Sequence, residues 1–488
     1  MPNYLNASLP PEERVKDLIP RMNREEKILQ LMQLGAHIDL GLEEGQLPGS
    51  LLHCMNEVLV GLDEQNNQTR LKIPLLIGED CIHGHSFHPG ATIFPTQLAL
   101  ANSWDKELLE EVARVTAIEA SCTGVHWTFS PVLCLTRDLR WGRVGETFGE
   151  DPYLIGEFAA AMIKGYQGDG LNDPNGILAT AKHYAGYSET QGGRDSSEAD
   201  LSVRKLKSYF LPPFKKACEA GCMAYMTGYQ SIEGVPSTAN RWLLHDVLKE
   251  EWGFEGILVT DWDNVGALVK SQKICADYAE AATLAIRSGN DLMMATKEFL
   301  QGTLDALDRG MLEESEVDEV LARILLLKFR MGLFENPRLP DYTRQKEVIA
   351  CEAHKQINLK ASRESVVLLQ NPNGILPLDS ASVRKIAVVG PNADDALQQL
   401  GDWSLGTSQY SADYGQQPRE CTRTVLDGIR AEFSDQEILF AQGCEISDSS
   451  AEGIAEAVAA AQQADVVVAV VGDSLPFIGE RWSVATVE

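Results

Sequence analysis

The chain alternates between short apolar runs and longer segments in which apolar residues recur every three to four positions. The apolar runs lie at 73–78, 125–130, 177–182, 222–227, 256–261 and 291–295. They are rich in branched and aromatic residues and are bounded by turn residues, which is typical of buried strands. Helical periodicity occupies 105–121, 153–167, 202–219, 239–251, 277–288, 298–309 and 316–333. Repeated strand–helix units in this number predict a parallel sheet closed into a (β/α) barrel.

Further helices and strands are predicted in the sequence before and after the barrel. Helices are predicted near 11–19 and 24–34. Pro337 to Pro340 marks a linker, which a helix at 344–362 follows. A second α/β unit is then predicted, with strands at 366–369, 386–389, 438–440 and 466–471 and helices at 424–433 and 451–463.

The predicted organisation is therefore a barrel domain at 1–336, a linker and helix at 337–364, and an α/β sandwich domain at 365–488. The last predicted strand is followed by a loop but by no terminal helix. We accordingly expect the second domain to be incomplete, truncated on its C-terminal side.

Polar or aromatic side chains follow four of the predicted barrel strands. They are Asp80, Lys182 with His183, Tyr229, and Asp261 with Trp262. A strand that is buried on both faces has no reason to carry charge along its length, but enzymes place their chemistry at the carboxyl ends of such strands. The pattern predicts one shared site at one face of the barrel.

Two further polar segments admit competing interpretations. The loop at 136–152 holds three arginines and four acids, so it is either a solvated excursion or an internally paired loop that presents an arginine to a ligand. His83, His85 and His88 raise the hypothesis of a metal site. Their spacing is not helical and Asp80 is the one carboxylate nearby, which favours a polar loop over the site instead.

Composition narrows the class of partner. The chain of 488 residues has a net charge of −29, which argues against nucleic acid and anionic membrane surfaces. The N-terminus lacks the basic and apolar regions of a signal peptide, and no apolar run approaches the length of a membrane span. Ten cysteines without Cys-x-x-Cys spacing predict reduced thiols and a cytoplasmic location. We expect no cofactor and no metal, and the oligomeric state, including a homo-oligomer, stays open.

Four motifs together make the chain resemble glycoside hydrolase family 3, of the β-glucosidase type. They are Arg140-Trp-Gly-Arg143, Gly149-Glu-Asp-Pro152, Lys182-His183-Tyr-Ala-Gly186 and Val259-Thr-Asp261-Trp262. The resemblance runs from Tyr4 to the last residue. It implies a TIM-like barrel followed by an α/β sandwich domain, with the active site at their junction.

The resemblance also implies the role of each site residue. Asp261 would be the catalytic nucleophile, and Glu480, on a loop of the second domain, would be the general acid/base. The residues of the sugar subsite would be Asp80, Arg143, Lys182, His183, Tyr229 and Trp262. Lys182, His183 and Arg143 would be the cations near Asp261 that keep it ionised. A pocket closed by Phe477 and Trp482 would raise the pKa of Glu480.

The implied function is a retaining, exo-acting β-glucosidase that releases terminal β-D-glucosyl residues from small oligosaccharides or aryl and alkyl glycosides. A β-xylosidase is an open alternative, because the sequence does not show the room around the sugar C6 position. An N-acetylglucosaminidase is disfavoured, since the loop at 184–195 has no second histidine. A non-catalytic or inactive sugar-binding fragment is the alternative from another class.

Overall fold

A computed structural model describes residues 2–36, 42, 45–407, 415–446, 450–475, 478–480 and 483. Within these ranges no helix is at once long enough and apolar enough to cross a bilayer. All ten cysteines are free thiols, as their spacing predicts.

Eight parallel strands of the described ranges close into a barrel. They are β1 Met32–Gly35, β2 Ser50–Leu52, β3 Leu76–Glu79, β4 Trp127–Thr128, β5 Thr180–Tyr184, β6 Ala224–Thr227, β7 Ile257–Val259 and β8 Met293–Met294. Strands β8, β1, β2, β3 and β4 form one parallel sheet, and β5, β6 and β7 form another. Parallel bridges between Trp127 and Leu178 and between Val259 and Leu292 join the two sheets at both edges. The predicted barrel is thus confirmed.

Amphipathic helices surround the barrel and bury their apolar faces against it. Their starts follow from capping residues: Asp151 accepts hydrogen bonds from the backbone of Tyr153 and Leu154, with Pro152 in the first turn. The helices are Pro11–Leu18, Arg24–Gln30, Asn56–Asn66, Gln97–Ala101, Lys106–Ser121, Pro152–Gln167, Val203–Lys205, Leu206–Phe210, Pro212–Glu219, Trp242–Glu251, Asn264–Lys270, Tyr278–Ser288, Phe299–Asp308 and Glu314–Arg330. Those at Leu206–Phe210 and Trp242–Glu251 are π-helical.

The first two barrel strands correct the sequence prediction. The helix expected at 24–34 ends at Gln30, and β1 follows it directly. Strands β1 and β2 each place a polar residue inside the barrel, which interrupts the apolar run that predicted the other strands. Gln33 Nε2 donates to Ser50 Oγ at 2.8 Å, and that hydroxyl donates to the carbonyl of Leu76 at 2.6 Å.

Two helices, not the single one predicted at 344–362, connect the domains. They are Tyr342–Val348 and Glu352–Glu364. The buried carboxylate of Glu119 ties the break between them to the barrel, because it accepts hydrogen bonds from Ala350 N at 2.9 Å and from the His354 ring at 2.7 Å. It also accepts from the backbone and hydroxyl of Thr92.

The second domain is a three-stranded parallel sheet with helices beside it. Its strands are β9 Lys385–Val389, β10 Glu437–Ala441 and β11 Val466–Ala469, in the order β10–β9–β11. Its helices are Ala396–Leu400, Val425–Glu432 and Ile454–Gln463. The strand predicted at 366–369 is wrong: these residues pair with no strand among the described residues, and all four side chains are more than half exposed. An apolar, branched run predicts a strand only where a neighbouring strand can pair with it.

Candidate active site

Asp261 lies just beyond the end of β7, whose residues are wholly buried. Its carboxylate is itself buried, with 6% of the residue exposed. Oδ1 accepts a hydrogen bond from Trp262 N at 2.8 Å, whereas Oδ2 has no hydrogen-bond partner among the described residues. Burial, and then the negative charge of Glu480, raise the pKa of Asp261 to about 7, against the opposing effect of Arg143 and Lys182.

Lys182, which lies within β5, forms a buried ion pair with Asp80, which follows β3. Lys182 Nζ lies 3.0 Å from Asp80 Oδ1. The same ammonium lies 5.3 Å from the ring centroid of Trp403, a residue of the second domain. The pair therefore presents a carboxylate and a cation side by side at the mouth of the barrel, which suits the binding of sugar hydroxyls.

Arg143 decides between the two interpretations of the loop at 136–152. Its guanidinium is buried and forms a bidentate pair with Glu146, at 2.8 and 2.9 Å. Nη1 has no hydrogen-bond partner among the described residues and lies 3.7 Å from Glu480 Oε2. The loop is internally paired and presents one face of Arg143 to the site.

His183 is neutral, which corrects the expectation that it adds a positive charge beside Asp261. Burial, together with the charges of Arg143 and Lys182, lowers the pKa of His183 well below its usual value. Its Nε2 accepts from Arg143 Nη2 at 3.2 Å and lies 3.5 Å from Asp261 Oδ2. The proton then resides on Nδ1, which faces Cys134 Sγ at 3.7 Å. Arg143 and Lys182 remain as the two cations near the nucleophile candidate.

Glu480 reaches the barrel mouth from the second domain. Gly479 N donates to the carbonyl of Gly142 at 2.7 Å, and Trp141 forms an antiparallel bridge with Ser483. The barrel loop that carries Arg143 therefore also anchors the backbone next to Glu480. Burial raises the pKa of Glu480, although Arg143 and the Tyr229 hydroxyl oppose this.

Tyr229 lies near Asp261, whose charge adds to burial in raising the pKa of the Tyr229 hydroxyl, and Trp262 follows Asp261 directly in the chain. The Tyr229 hydroxyl is buried, and its ring packs edge-on to Tyr187 at 5.9 Å. Trp262 is half-buried and packs against the barrel core. Phe477 and Trp482, which we expected to close the pocket, lie outside the described residues. All eight predicted site residues are thus brought to one end of the barrel.

Sequence reasoning missed three contributors to the site. Glu146 holds Arg143, and its i,i+3 spacing within the charged loop was a usable signal. Trp403 contacts the site cations from the second domain, and nothing in its local sequence indicates this. His53 lies beyond β2 and pairs with Glu79 at 2.7 Å.

The histidines of the loop at 83–88 contact backbone carbonyl groups and neighbouring side chains. His83 contacts the carbonyl oxygens of Phe94 and Asp402, at 3.0 and 2.6 Å. His85 contacts Thr123 Oγ1 at 3.0 Å and stacks on His88. Across the described ranges, none of the three belongs to a group of metal-ligand atoms. This loop binds the second domain.

The arrangement combines two buried carboxyl groups from different domains with two cations and a ring of hydrogen-bonding side chains. Burial raises the pKa of both carboxyl groups, and the charge of Glu480 raises that of Asp261 further, so near neutral pH the pair favours one shared proton. A group that attacks while ionised and a partner that donates a proton are what retaining glycoside hydrolysis requires.

Comparison with known proteins defines the family. Residues 24–327 match the glycosyl hydrolase family 3 N-terminal domain, and residues 366–488 match the C-terminal domain of the same family. The chain belongs to glycosyl hydrolase family 3.

Individual relatives carry two kinds of name. The chain is 34% identical to a periplasmic β-glucosidase of Salmonella typhimurium, over 96% of this chain and 64% of that protein. It is 36% identical to a β-xylosidase of Formosa agariphila, over 84% of this chain and 58% of that protein. A solved β-glucosidase involved in saponin metabolism, from intestinal bacteria, is 50% identical with a TM-score of 0.91, over 96% of this chain and 66% of that one. The chain therefore spans less than two thirds of the length of these relatives.

Proposed function

We propose that this chain carries the active site of a retaining, exo-acting β-glucosidase. One observation carries the proposal. Asp261 is buried with one oxygen held by a backbone N–H and the other without a hydrogen-bond partner in the described chain, while burial, and then the charge of Glu480 from the second domain, raise its pKa. The free oxygen is the atom that can attack, and the coupled carboxyl is the one that can donate.

The reaction follows from this division of roles. Asp261 Oδ2 forms a bond to the anomeric carbon as the bond to the aglycone oxygen breaks and Glu480 protonates that oxygen. When Glu480 carries the proton, its repulsion of Asp261 disappears, so the nucleophile is more readily ionised. Glu480, now a carboxylate, then takes a proton from water, which attacks the glycosyl–enzyme bond and releases the sugar.

The sugar would be held by the polar groups that surround Asp261. The Asp80 carboxylate accepts from sugar hydroxyls, while Lys182 and Arg143 Nη1, which has no hydrogen-bond partner in the described chain, donate to them. Tyr229 and Trp262 supply an apolar wall. Polar groups and aromatic rings gathered around Asp261 favour the binding of one terminal sugar ring.

Labelling of the nucleophile tests the proposal. A 2-fluoro β-glucoside inactivator should add one glycosyl group to the protein, and peptide mass spectrometry should locate it on Asp261. Asp261→Asn should abolish both labelling and turnover, because loss of a covalent nucleophile costs many powers of ten. Asp263→Asn is the matched control, since Asp263 lies two residues further on and pairs with Lys270 at the surface. Glucose binding without any labelling would instead support the inactive sugar-binding fragment.

A β-xylosidase remains the second candidate, and the relative from Formosa agariphila favours it. The ratio of kcat/KM for p-nitrophenyl glucoside and xyloside separates the two. A glucosidase should gain from the C6 hydroxymethyl group, whereas a xylosidase pocket should exclude it. The resemblance to the enzyme of saponin metabolism makes a glucoside with a bulky apolar aglycone a useful third substrate.

Location and assembly also remain proposals. The cytoplasmic location stays a prediction, and the Salmonella relative is named periplasmic. Formation of a homo-oligomer is equally open.

A further inference from the structure

His53 and Glu79 form a buried ion pair directly behind the sugar-binding carboxylate. His53 Nδ1 lies 2.7 Å from Glu79 Oε1, and the same oxygen accepts from Asp80 N at 3.0 Å. The other Glu79 oxygen is buried without a hydrogen-bond partner among the described residues. One oxygen of Glu79 thus links the imidazole of His53 to the backbone of Asp80.

The charges of this group balance only when His53 is protonated. Glu79 is wholly buried and Asp80 nearly so, and Lys182 neutralises one of the two carboxylates. A buried carboxylate without a counter-ion is costly, and a bare oxygen on Glu79 makes it more so. His53 is the basic side chain that contacts Glu79 in the described structure.

The groups around the imidazole support its positive charge. Burial lowers the pKa of His53, but the facing carboxylates of Glu79 and Asp80 raise it above its usual value overall. Phe87, from the next loop, packs edge-on to the imidazole at 6.0 Å. The thiol of neighbouring Cys54 is neutral, because burial raises its pKa to about 12.

We propose that His53 is a positioning residue: as the protonated counter-ion of Glu79, it holds Asp80 in the orientation in which Asp80 binds the sugar. This inference rests on the proposed function, because it assigns Asp80 to the substrate. In this role His53 acts on Asp80 through its contact with Glu79 and through its own charge. When His53 is replaced by a neutral residue, one of the two carboxyls must take up a proton, which weakens the pair between Asp80 and Lys182.

A charge-balance series tests the proposal on the full chain with p-nitrophenyl glucoside. His53→Gln should raise KM about tenfold or more while kcat changes much less, because ground-state binding is what is lost. Adding Glu79→Gln to His53→Gln removes the excess negative charge and should restore most of the lost affinity. His245→Gln, a half-buried surface histidine beside Asp246 and Glu250, is the control and should leave KM unchanged.

The pH dependence gives a second readout. In the wild-type protein, KM should rise at alkaline pH as His53 loses its proton, and this rise should be absent from the double variant. An unchanged KM in His53→Gln, or a double variant no better than His53→Gln, overturns the proposal. Loss of wild-type activity on treatment with EDTA also overturns it, since His53, Glu79 and Asp80 would then hold a metal ion.

Stability measurements separate failure of this inference from failure of the proposed function. If no variant hydrolyses any glycoside, the free energy of unfolding still reports the charge balance. His53→Gln should then be less stable than the double variant if the inference about His53 and Glu79 is right, and equally stable or more stable if it is wrong.

Discussion

Replacing Asp261 with asparagine should make the protein more stable, and more so as the pH rises. The pKa of Asp261 is about 7 in the folded chain, against about 3.9 for an unperturbed aspartate. Between these values the folded state binds more protons than the unfolded state, so stability falls as pH rises through this window. The folded carboxylate therefore destabilises the protein by about 1–2 kcal/mol at pH 5 and by about 4 kcal/mol at pH 8. Asparagine carries no charge and removes this penalty.

Denaturant unfolding at several pH values checks this magnitude. The free energy of unfolding of Asp261→Asn minus that of the wild type should increase by about 2–3 kcal/mol between pH 5 and pH 8. The change with pH is the informative quantity, because any packing defect of asparagine cancels from it. Asp435→Asn, at an exposed position, should give a flat difference. If the difference in free energy of unfolding does not change with pH for Asp261→Asn either, the pKa of Asp261 is not raised and its carboxylate does not destabilise the folded protein.

Three further changes have equally definite outcomes. Glu480→Ala should slow glucosides with poor leaving groups far more than activated aryl glucosides, which need no proton at bond cleavage, and added azide should rescue the latter; equal slowing of both in steady-state assays would move the acid role elsewhere, with Asp473 as the first alternative. Glu119→Gln should lower the free energy of unfolding by about 2–4 kcal/mol. The buried carboxylate accepts hydrogen bonds from Ala350 N and the His354 ring, and the NH2 group of a glutamine cannot accept them. Denaturant titration measures this change. Lys328→Met should be destabilised increasingly between pH 7 and pH 9, since burial lowers the pKa of Lys328 to about 7 and wild-type stability rises with pH in that window.

The barrel was predictable because its helices are long and periodic. Most helix bounds agree with the sequence prediction within about three residues, as they do for Pro152–Gln167 and Tyr278–Ser288. The strands behave differently. Six barrel strands overlap predicted apolar runs, but β1 and β2 have polar residues inside the barrel, Gln33 and Ser50, so no apolar run predicts them.

The site was predictable to the extent that strand ends carry it. Asp80 and Asp261 lie just beyond the ends of β3 and β7, Lys182 lies within β5, and parallel strands bring such positions together. Pairing and protonation were not predictable, because they depend on atoms that are distant in sequence. The neutral state of His183 follows from its burial beside Arg143 and Lys182, and the sequence alone suggested a cation there.

Glu480 shows why the second domain was the hardest part to place from sequence. Its position depends on main-chain contacts: Gly479 N donates to the carbonyl of Gly142, and Trp141 pairs with Ser483 through the backbone. Further along the interface, Ser86 Oγ donates to the carbonyl of Trp403 at 2.6 Å. Main-chain groups are the same for every residue type, so such an anchor leaves no side-chain signature. The loop can therefore vary in sequence while its backbone still delivers a carboxyl group to Arg143 and Asp261. Catalysis by this chain would then depend on docking of the two domains as directly as on the nucleophile itself.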